Sequence, residues 1–248
     1  MRMRKRHNLA PRMERCAGLL IEQPQLLRGA WREKFPGFAA LHLELGCGKG
    51  RFTADTAKAN PETLFVALER VPDAMIIAME RVQALELENV RFIDGDAKDI
   101  LEIFAPGELD RIYINFCDPW PKSRDAKLRL TAPGFLRRYA DALCPGGQIH
   151  FKTDNTPLFD WSIGQLQAEG WELSAVTHDL HENGAVGFMT DYEAKFYAQG
   201  MKINRLEAAH GEKTLGTAAG EPPRLRNASL VDAEGYAQSV RDNGTEQD

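Results

Sequence analysis

The feature that most constrains this chain is a change of rhythm at residue 38. From there, short apolar runs alternate with amphipathic stretches. The runs at 40–45, 64–68, 90–93, 111–116, 148–152 and 171–176 read as strands, and the stretches at 51–59, 72–85, 99–104, 132–143 and 158–168 read as helices. Pro72 suits a first helical turn, and Pro145-Gly146-Gly147 marks a stop after a helix. Strand–helix alternation of this kind calls for an α/β fold, a mostly parallel sheet with helices on both faces. Residues 178–193 read as a long loop, and 194–206 as one more strand, an antiparallel one at the sheet edge. Before the alternation lies a basic start with a helical pattern around 14–27. After it, residues 207–248 are rich in Gly, Ala and Glu with no sustained period and read as a disordered acidic tail. The expected organisation is a single domain over 1–206, with an arm and helix at 1–37 appended to it.

Composition removes several classes. At 248 residues and 43% apolar, the chain is long and apolar enough for a full core. Its four cysteines, Cys16, Cys47, Cys117 and Cys144, form no Cys-x-x-Cys pair, which suits a reducing cytoplasm and argues against a disulfide scaffold or zinc ribbon. No apolar run nears the ~20 residues of a membrane span. The basic start lacks the apolar core of a secretion signal. A cytoplasmic protein with no membrane and no metal partner is therefore expected. The net charge of -5 hides an uneven distribution, because residues 207–248 hold eight acids against four bases. Two basic stretches remain. One is Arg2, Arg4, Lys5, Arg6, Arg12 and Arg15; the other is Lys122, Arg124, Lys127, Arg129, Arg137 and Arg138. A polyanion responds to such local fields, although charge runs are often only solvated surface.

On an open α/β sheet, ligands bind beyond the carboxyl ends of the strands. The first strand ends in Glu44-Leu45-Gly46-Cys47-Gly48-Lys49-Gly50. This is neither the dinucleotide fingerprint, which would need glycine where Arg51 stands, nor a triphosphate loop. An acid before the glycines would repel a pyrophosphate, but it can pair with a cationic ligand such as S-adenosylmethionine. The second strand ends in Glu69, suited to ribose hydroxyls, and the third leads to Asp96, suited to an adenine amino group. A solvated loop acid explains either one alone; three acids, each following its own strand, point to a nucleotide-like cofactor.

The fourth strand runs into Asn115-Phe116-Cys117-Asp118-Pro119-Trp120-Pro121-Lys122, followed by Arg124, Lys127 and Arg129. Prolines stiffen such a loop, Trp120 offers a stacking face, and the cations suit a phosphate backbone. With Glu44–Gly50, Phe151-Lys152-Thr153-Asp154 and Thr190-Asp191-Tyr192-Glu193-Ala194-Lys195-Phe196, this run resembles the bacterial tRNA (guanine-N(7)-)-methyltransferases over about residues 1–206. The resemblance implies a Rossmann-like class I methyltransferase fold, with a seven-stranded sheet whose last strand is antiparallel. It implies S-adenosylmethionine as methyl donor, and N7 of a guanine in the variable loop of tRNA as acceptor. By matching motif, Glu44, Gly46, Gly48, Glu69, Asp96 and Asp118 would contact the cofactor, with Asp118 also the catalytic residue. Lys122, Asp154, Thr190, Asp191, Tyr192 and Glu193 would contact the guanosine. The stretch Arg124, Asp125, Ala126, Lys127, Leu128 and Arg129 would contact RNA; the family usually has His and further Lys or Arg where Asp125, Ala126 and Leu128 stand here. A monomer or homodimer is expected.

Guanine N7 has a lone pair and no proton, so its methylation is a direct displacement that needs alignment rather than an obligatory base. Asp118 would stabilise the growing positive charge on the purine, with Asp154 and Glu193 holding N1 and N2. The base must leave its stack to react. Three alternatives stand beside this reading. One is an amino-group methyltransferase acting on another RNA or on protein, to whose Asp/Asn-Pro-Pro-aromatic pattern Asp-Pro-Trp-Pro is a cousin. Another is a silent tRNA-binding module. The third assigns chemistry to Cys117 as a nucleophile or to His178 and His181 as a metal pair, for which flanks and further ligands are lacking.

Overall fold

A computed structural model describes residues 8–210. The elements run α1 (Leu9–Arg15), α2 (Trp31–Lys34), β1 (Ala40–Leu45), α3 (Arg51–Ala59), β2 (Thr63–Glu69), α4 (Pro72–Ala84), β3 (Val90–Asp94), α5 (Ile100–Ile103), β4 (Leu109–Asn115), α6 (Pro133–Ala142), β5 (Leu143–Thr153), α7 (Thr156–Ala168), β6 (Trp171–Thr177), α8 (Asp191–Ala198) and β7 (Asn204–His210). The seven strands form one sheet in the order β3-β2-β1-β4-β5-β7-β6. Pairings among β3, β2, β1, β4 and β5 are parallel, and β7 runs antiparallel to both of its neighbours. This is the Rossmann-like methyltransferase fold expected from the sequence.

The strands are where the apolar runs lie because both faces of their central part are covered. β1 and β2 are buried along their whole lengths, as strands between two helical layers must be. On one face Leu41, Leu43, Leu45, Ile112, Ile114, Ile149 and Phe151 pack under Ile100, Leu136, Tyr139, Phe159 and Leu166 of α5, α6 and α7. On the other, Phe65, Ala67 and Phe92 pack under α3 and α4. Each such Leu, Ile or Phe stabilises the fold by about 1.5–3 kcal/mol relative to exposure. The strand order reverses between β1 and β4, where Leu45 pairs with Ile114. That reversal opens the crevice where such sheets bind ligands.

The second face changes character beyond β1. His42, Arg111, Tyr113, His150, Arg205 and Glu207 line a cavity of about 280 Å³ beneath the segment carrying Val186, Gly187 and Phe188. Burial, then Arg111 and Arg32, push His42 down to about 3, so its imidazole is neutral.

Four expectations are corrected. The helical pattern around 14–27 breaks into α1 and two single turns of tighter helix at Ala17–Leu19 and Pro24–Leu27. The supposed strand at 194–206 is two elements, α8 and β7, separated by Gly200 at φ 69°. β7 also lies inside the sheet, between β5 and β6, and β6 holds the edge. The strand continues to His210, into what the sequence reading assigned to the tail. The rest of that tail, and Arg2, Arg4, Lys5 and Arg6 of the basic arm, lie outside the described residues.

Candidate active site

The glycine loop turns on three residues with positive φ: Gly46 at 78°, Gly48 at 56° and Gly50 at 73°. Only glycine takes this conformation without strain. A Cβ at Gly46 or Gly48 would meet nothing within 4 Å, so the loop leaves open space over its backbone. Gly50 differs, because a Cβ there would lie 2.4 Å from the Cβ of Ala78. The third glycine therefore serves the approach of α3 to α4.

Two buried carboxylates fix this loop. Glu69, at the end of β2, accepts hydrogen bonds from the backbone of Gly48 at 2.8 Å, Arg70 at 2.9 Å and Val71 at 3.0 Å. Glu44 is 1% exposed and accepts from Thr53 Oγ1 and, at 3.0 Å, from Asn115 Nδ2. Burial raises its pKa against those two hydrogen bonds. Glu44, expected to pair with a cationic ligand, bonds one oxygen to each of these partners and so ties β1 to α3 and β4. Asp96 accepts from Lys98 N at 3.0 Å and pairs with Arg70 at 3.0 Å. Burial pushes the Asp96 carboxyl up, but the Lys98 N–H and the Arg70 guanidinium outweigh it and hold it below its ordinary value. An open glycine cradle with carboxyl side chains at the ends of the next strands fits an adenosyl group carrying a cationic methionine end.

Asp118 is exposed, with no partner among the described residues. Its loop is bent by two bulky residues in the left-handed region, Phe116 at φ 54° and Trp120 at φ 41°. Each costs on the order of 1–3 kcal/mol and persists only where its surroundings impose it. The imposing contacts are visible. Phe116 N donates to Lys152 O at 2.9 Å. Arg129 donates from Nε to Pro119 O at 3.0 Å and from Nη2 to Trp120 O at 3.0 Å. Its guanidinium also stacks 4.4 Å from the centre of the Trp161 ring on α7. Asn115 pairs with Lys152 in the sheet, so Asp118 and the half-buried Asp154 follow the carboxyl ends of adjacent strands. Phe116 meets Phe196 of α8 at 6.1 Å, which brings the Thr190–Glu193 segment to the same rim.

That segment is divided in role. Tyr192 is 61% exposed, while Asp191 pairs with Arg81 of α4 at 3.3 Å. Thr190 and Glu193 form a capping box. Glu193 is fully buried, and its oxygens accept from Lys152 Nζ, from Thr190 N at 3.2 Å and from His181 Nε2 at 3.1 Å. Burial pushes the Glu193 carboxyl up, but Lys152 and His181 outweigh it and hold it ionised. Glu193, expected to meet the guanine edge, belongs to a buried cluster with Lys152 and His181. Lys152 and His181 are the residues the sequence reading did not connect to it. Their signal lay in the Phe-Lys-Thr-Asp run and the His178/His181 pair, which carry no pointer to a common partner. His178 bonds Asp160 at 2.9 Å on the outside, so the two imidazoles face different carboxylates.

Of the basic loop, Lys122, Arg124 and Lys127 are exposed on a turn spanning Ser123–Leu128. Arg124 lies 3.7 Å from Asp125, Ala126 is half-buried, and Leu128 is 44% exposed. Arg129 turns inward, as above. Burial, then Asp118, push the Cys117 thiol up to about 12, which makes it a poor nucleophile. Among the described residues no group of three or more His, Cys, Asp or Glu could hold a metal ion, and no helix is long and apolar enough to cross a membrane.

Residues 39–206 match the protein family described as "Putative methyltransferase". The fold is similar to that of the 16S rRNA methyltransferase KamB, with 16% identity, a TM-score of 0.56, and 73% of this chain and 92% of that one covered. It is similar to an antibiotic-related methyltransferase at 18% identity and a TM-score of 0.54, over 73% and 92% of the two chains. The aminoglycoside resistance methyltransferase NpmB1 gives 19%, 0.53, and 74% and 93%.

Proposed function

The chain belongs to this methyltransferase family, whose members depend on S-adenosylmethionine, and on that premise we propose that it methylates N7 of a guanine in the variable loop of tRNA. The observation that carries the reading is Asp118, an exposed carboxylate without a partner among the described residues, on a strained loop beside an open glycine cradle and leading into exposed Lys122 and Lys127. S-adenosylmethionine supplies an electrophilic methyl group. The chain's own residues do the rest. Glu69 and Asp96 meet the ribose and adenine. Asp118 faces the purine as N7 attacks and stabilises its growing positive charge. Asp154 accepts from the N1 and N2 donors of guanine, a pattern adenine lacks. Glu193, being buried, supports this edge indirectly by holding Thr190 and α8. Lys122 meets the guanosine, while Arg124 and Lys127 meet phosphates, which give affinity rather than sequence.

The test is methyl-labelled S-adenosylmethionine with the full chain and an unmodified tRNA transcript, followed by borohydride and aniline, which cut at N7-methylguanosine. A single cut in the variable loop is expected. Label without a cut moves the acceptor to another atom and favours an amino-group methyltransferase, the reading that Asp-Pro-Trp-Pro also supports. Cofactor binding without label leaves a silent RNA-binding module.

A further inference from the structure

Arg129 belongs by sequence to the basic run that would meet RNA, yet its guanidinium is already committed. It bonds Pro119 O and Trp120 O, the carbonyls of two successive peptides, and lies 4.4 Å over Trp161. Pro119 and Trp120 follow Asp118 directly, and Trp120 holds the left-handed φ of 41° that a bulky residue adopts only under constraint. Trp161 sits on α7, the helix that begins two residues after Asp154. Its stacking therefore joins the loop after β4 to the helix after β5. Asp118 stands on the first of these segments and Asp154 just before the second, after the carboxyl ends of the adjacent strands β4 and β5.

We infer that Arg129 is a positioning residue: a strap that holds the Asp118 loop in its strained form against α7, rather than a contact to the RNA backbone. Its planar fork suits two convergent carbonyls and a ring face at once, which a lysine ammonium cannot reproduce. The neighbouring cations Lys122, Arg124 and Lys127 are exposed and remain the ones facing solvent. The inference rests on the reading of Asp118 and Asp154 as acceptor-site residues, since only then does the strap govern catalysis.

The experiment compares the full-length chain with R129K, R129A and W161L. Amide hydrogen exchange over residues 116–122 needs no substrate and reads the strap directly. Methyl transfer to the tRNA transcript at several salt concentrations reads kcat, KM and the salt slope. For R129K and R129A we expect faster exchange over 116–122 and a kcat lower by about tenfold to a hundredfold, the scale of a misplaced catalytic group. KM for tRNA and its salt slope stay as in the wild type. W161L, which keeps the hydrogen bonds and loses the stack, falls between. The inference is overturned if R129K leaves kcat unchanged. It is equally overturned if the variant raises KM and flattens the salt slope by the ~0.9 expected of one lost phosphate contact. Should R129A fail to fold, R129K and W161L carry the same comparison. If the wild type methylates no tRNA, the proposed function fails, while unchanged exchange in R129K would separately sink the strap.

Discussion

At the scale of single residues, carboxylates with similar sequence signals have opposite environments. Asp118 is exposed with no partner among the described residues; Glu44, Glu69 and Glu193 are held inside by named donors. We therefore expect Asp118→Asn to lower kcat by on the order of a hundredfold, the usual cost of losing one preorganised electrostatic contact, with S-adenosylmethionine affinity by calorimetry within a factor of two. Equal loss of both would make Asp118 a cofactor contact only. Glu193→Gln acts differently. It leaves Lys152 and His181 facing a neutral amide in a buried site, so it should cost stability by about 3–5 kcal/mol, as breaking a buried ion pair does. A fall in the urea midpoint would record that. Unchanged stability would return Glu193 to the substrate. The sequence could mark these acids but not sort them. Sorting depends on Thr53, Asn115, Lys152 and His181, which come from four different stretches of chain.

At the scale of elements, two local devices decide the geometry. The first is the contact of α3 with α4 at Gly50 and Ala78. A methyl group at Gly50 would enter backbone and side-chain atoms of Ala78, at a residue with φ 73°. Gly50→Ala should destabilise by about 1–3 kcal/mol from overpacking alone, lowering Tm; at Gly46 the same change meets open space and should chiefly weaken cofactor binding. An equal Tm loss at both positions would mean that backbone strain, not the α3–α4 contact, sets the effect. The second device is the capping box of Thr190 and Glu193, which starts a helix where the sequence reading continued a loop and then a strand. The strand reading failed because Phe196 and Tyr197 favour strands by propensity, while the cap and Gly200 define a helix. The motif Thr-x-x-Glu was present in the sequence and is a helix start in its own right.

For the whole molecule, the cavity-lining face of β1, β4, β5 and β7 sets the acid limit of the fold. His42 and His150 both lie there with depressed pKa values, by burial first and Arg111 second. Their imidazoles bind protons more readily in the unfolded chain. Stability is therefore full above the unfolded value of 6.5 and falls as pH drops toward the folded value of about 3 for His42. Asp96 and Glu193, also depressed, add a further loss only at lower pH, as it falls from their unfolded range toward their folded values. Urea midpoints should thus decline from pH 6.5 downward, at about 1.4 kcal/mol per pH unit for each histidine titrating. His42→Gln should remove one such increment. A wild-type profile that is flat between pH 6.5 and 5 would show that these imidazoles stay protonatable in the folded state.

The sequence by itself determined the α/β fold and the strand–helix alternation. Periodicity, punctuation and glycines are local, and a strand buried on both faces is predominantly apolar. It also singled out Gly46, Gly48, Glu69 and Asp118 at the carboxyl ends of strands, the region where open α/β sheets bind ligands. Only the tertiary structure decided which charges are free. β7 enters between β5 and β6, α8 caps itself on Glu193, and Arg129 turns from the basic run onto Pro119, Trp120 and Trp161. Each outcome depends on partners far apart in the chain. A side chain's charge is written in the sequence, but whether water or protein surrounds that charge is settled only when distant segments meet.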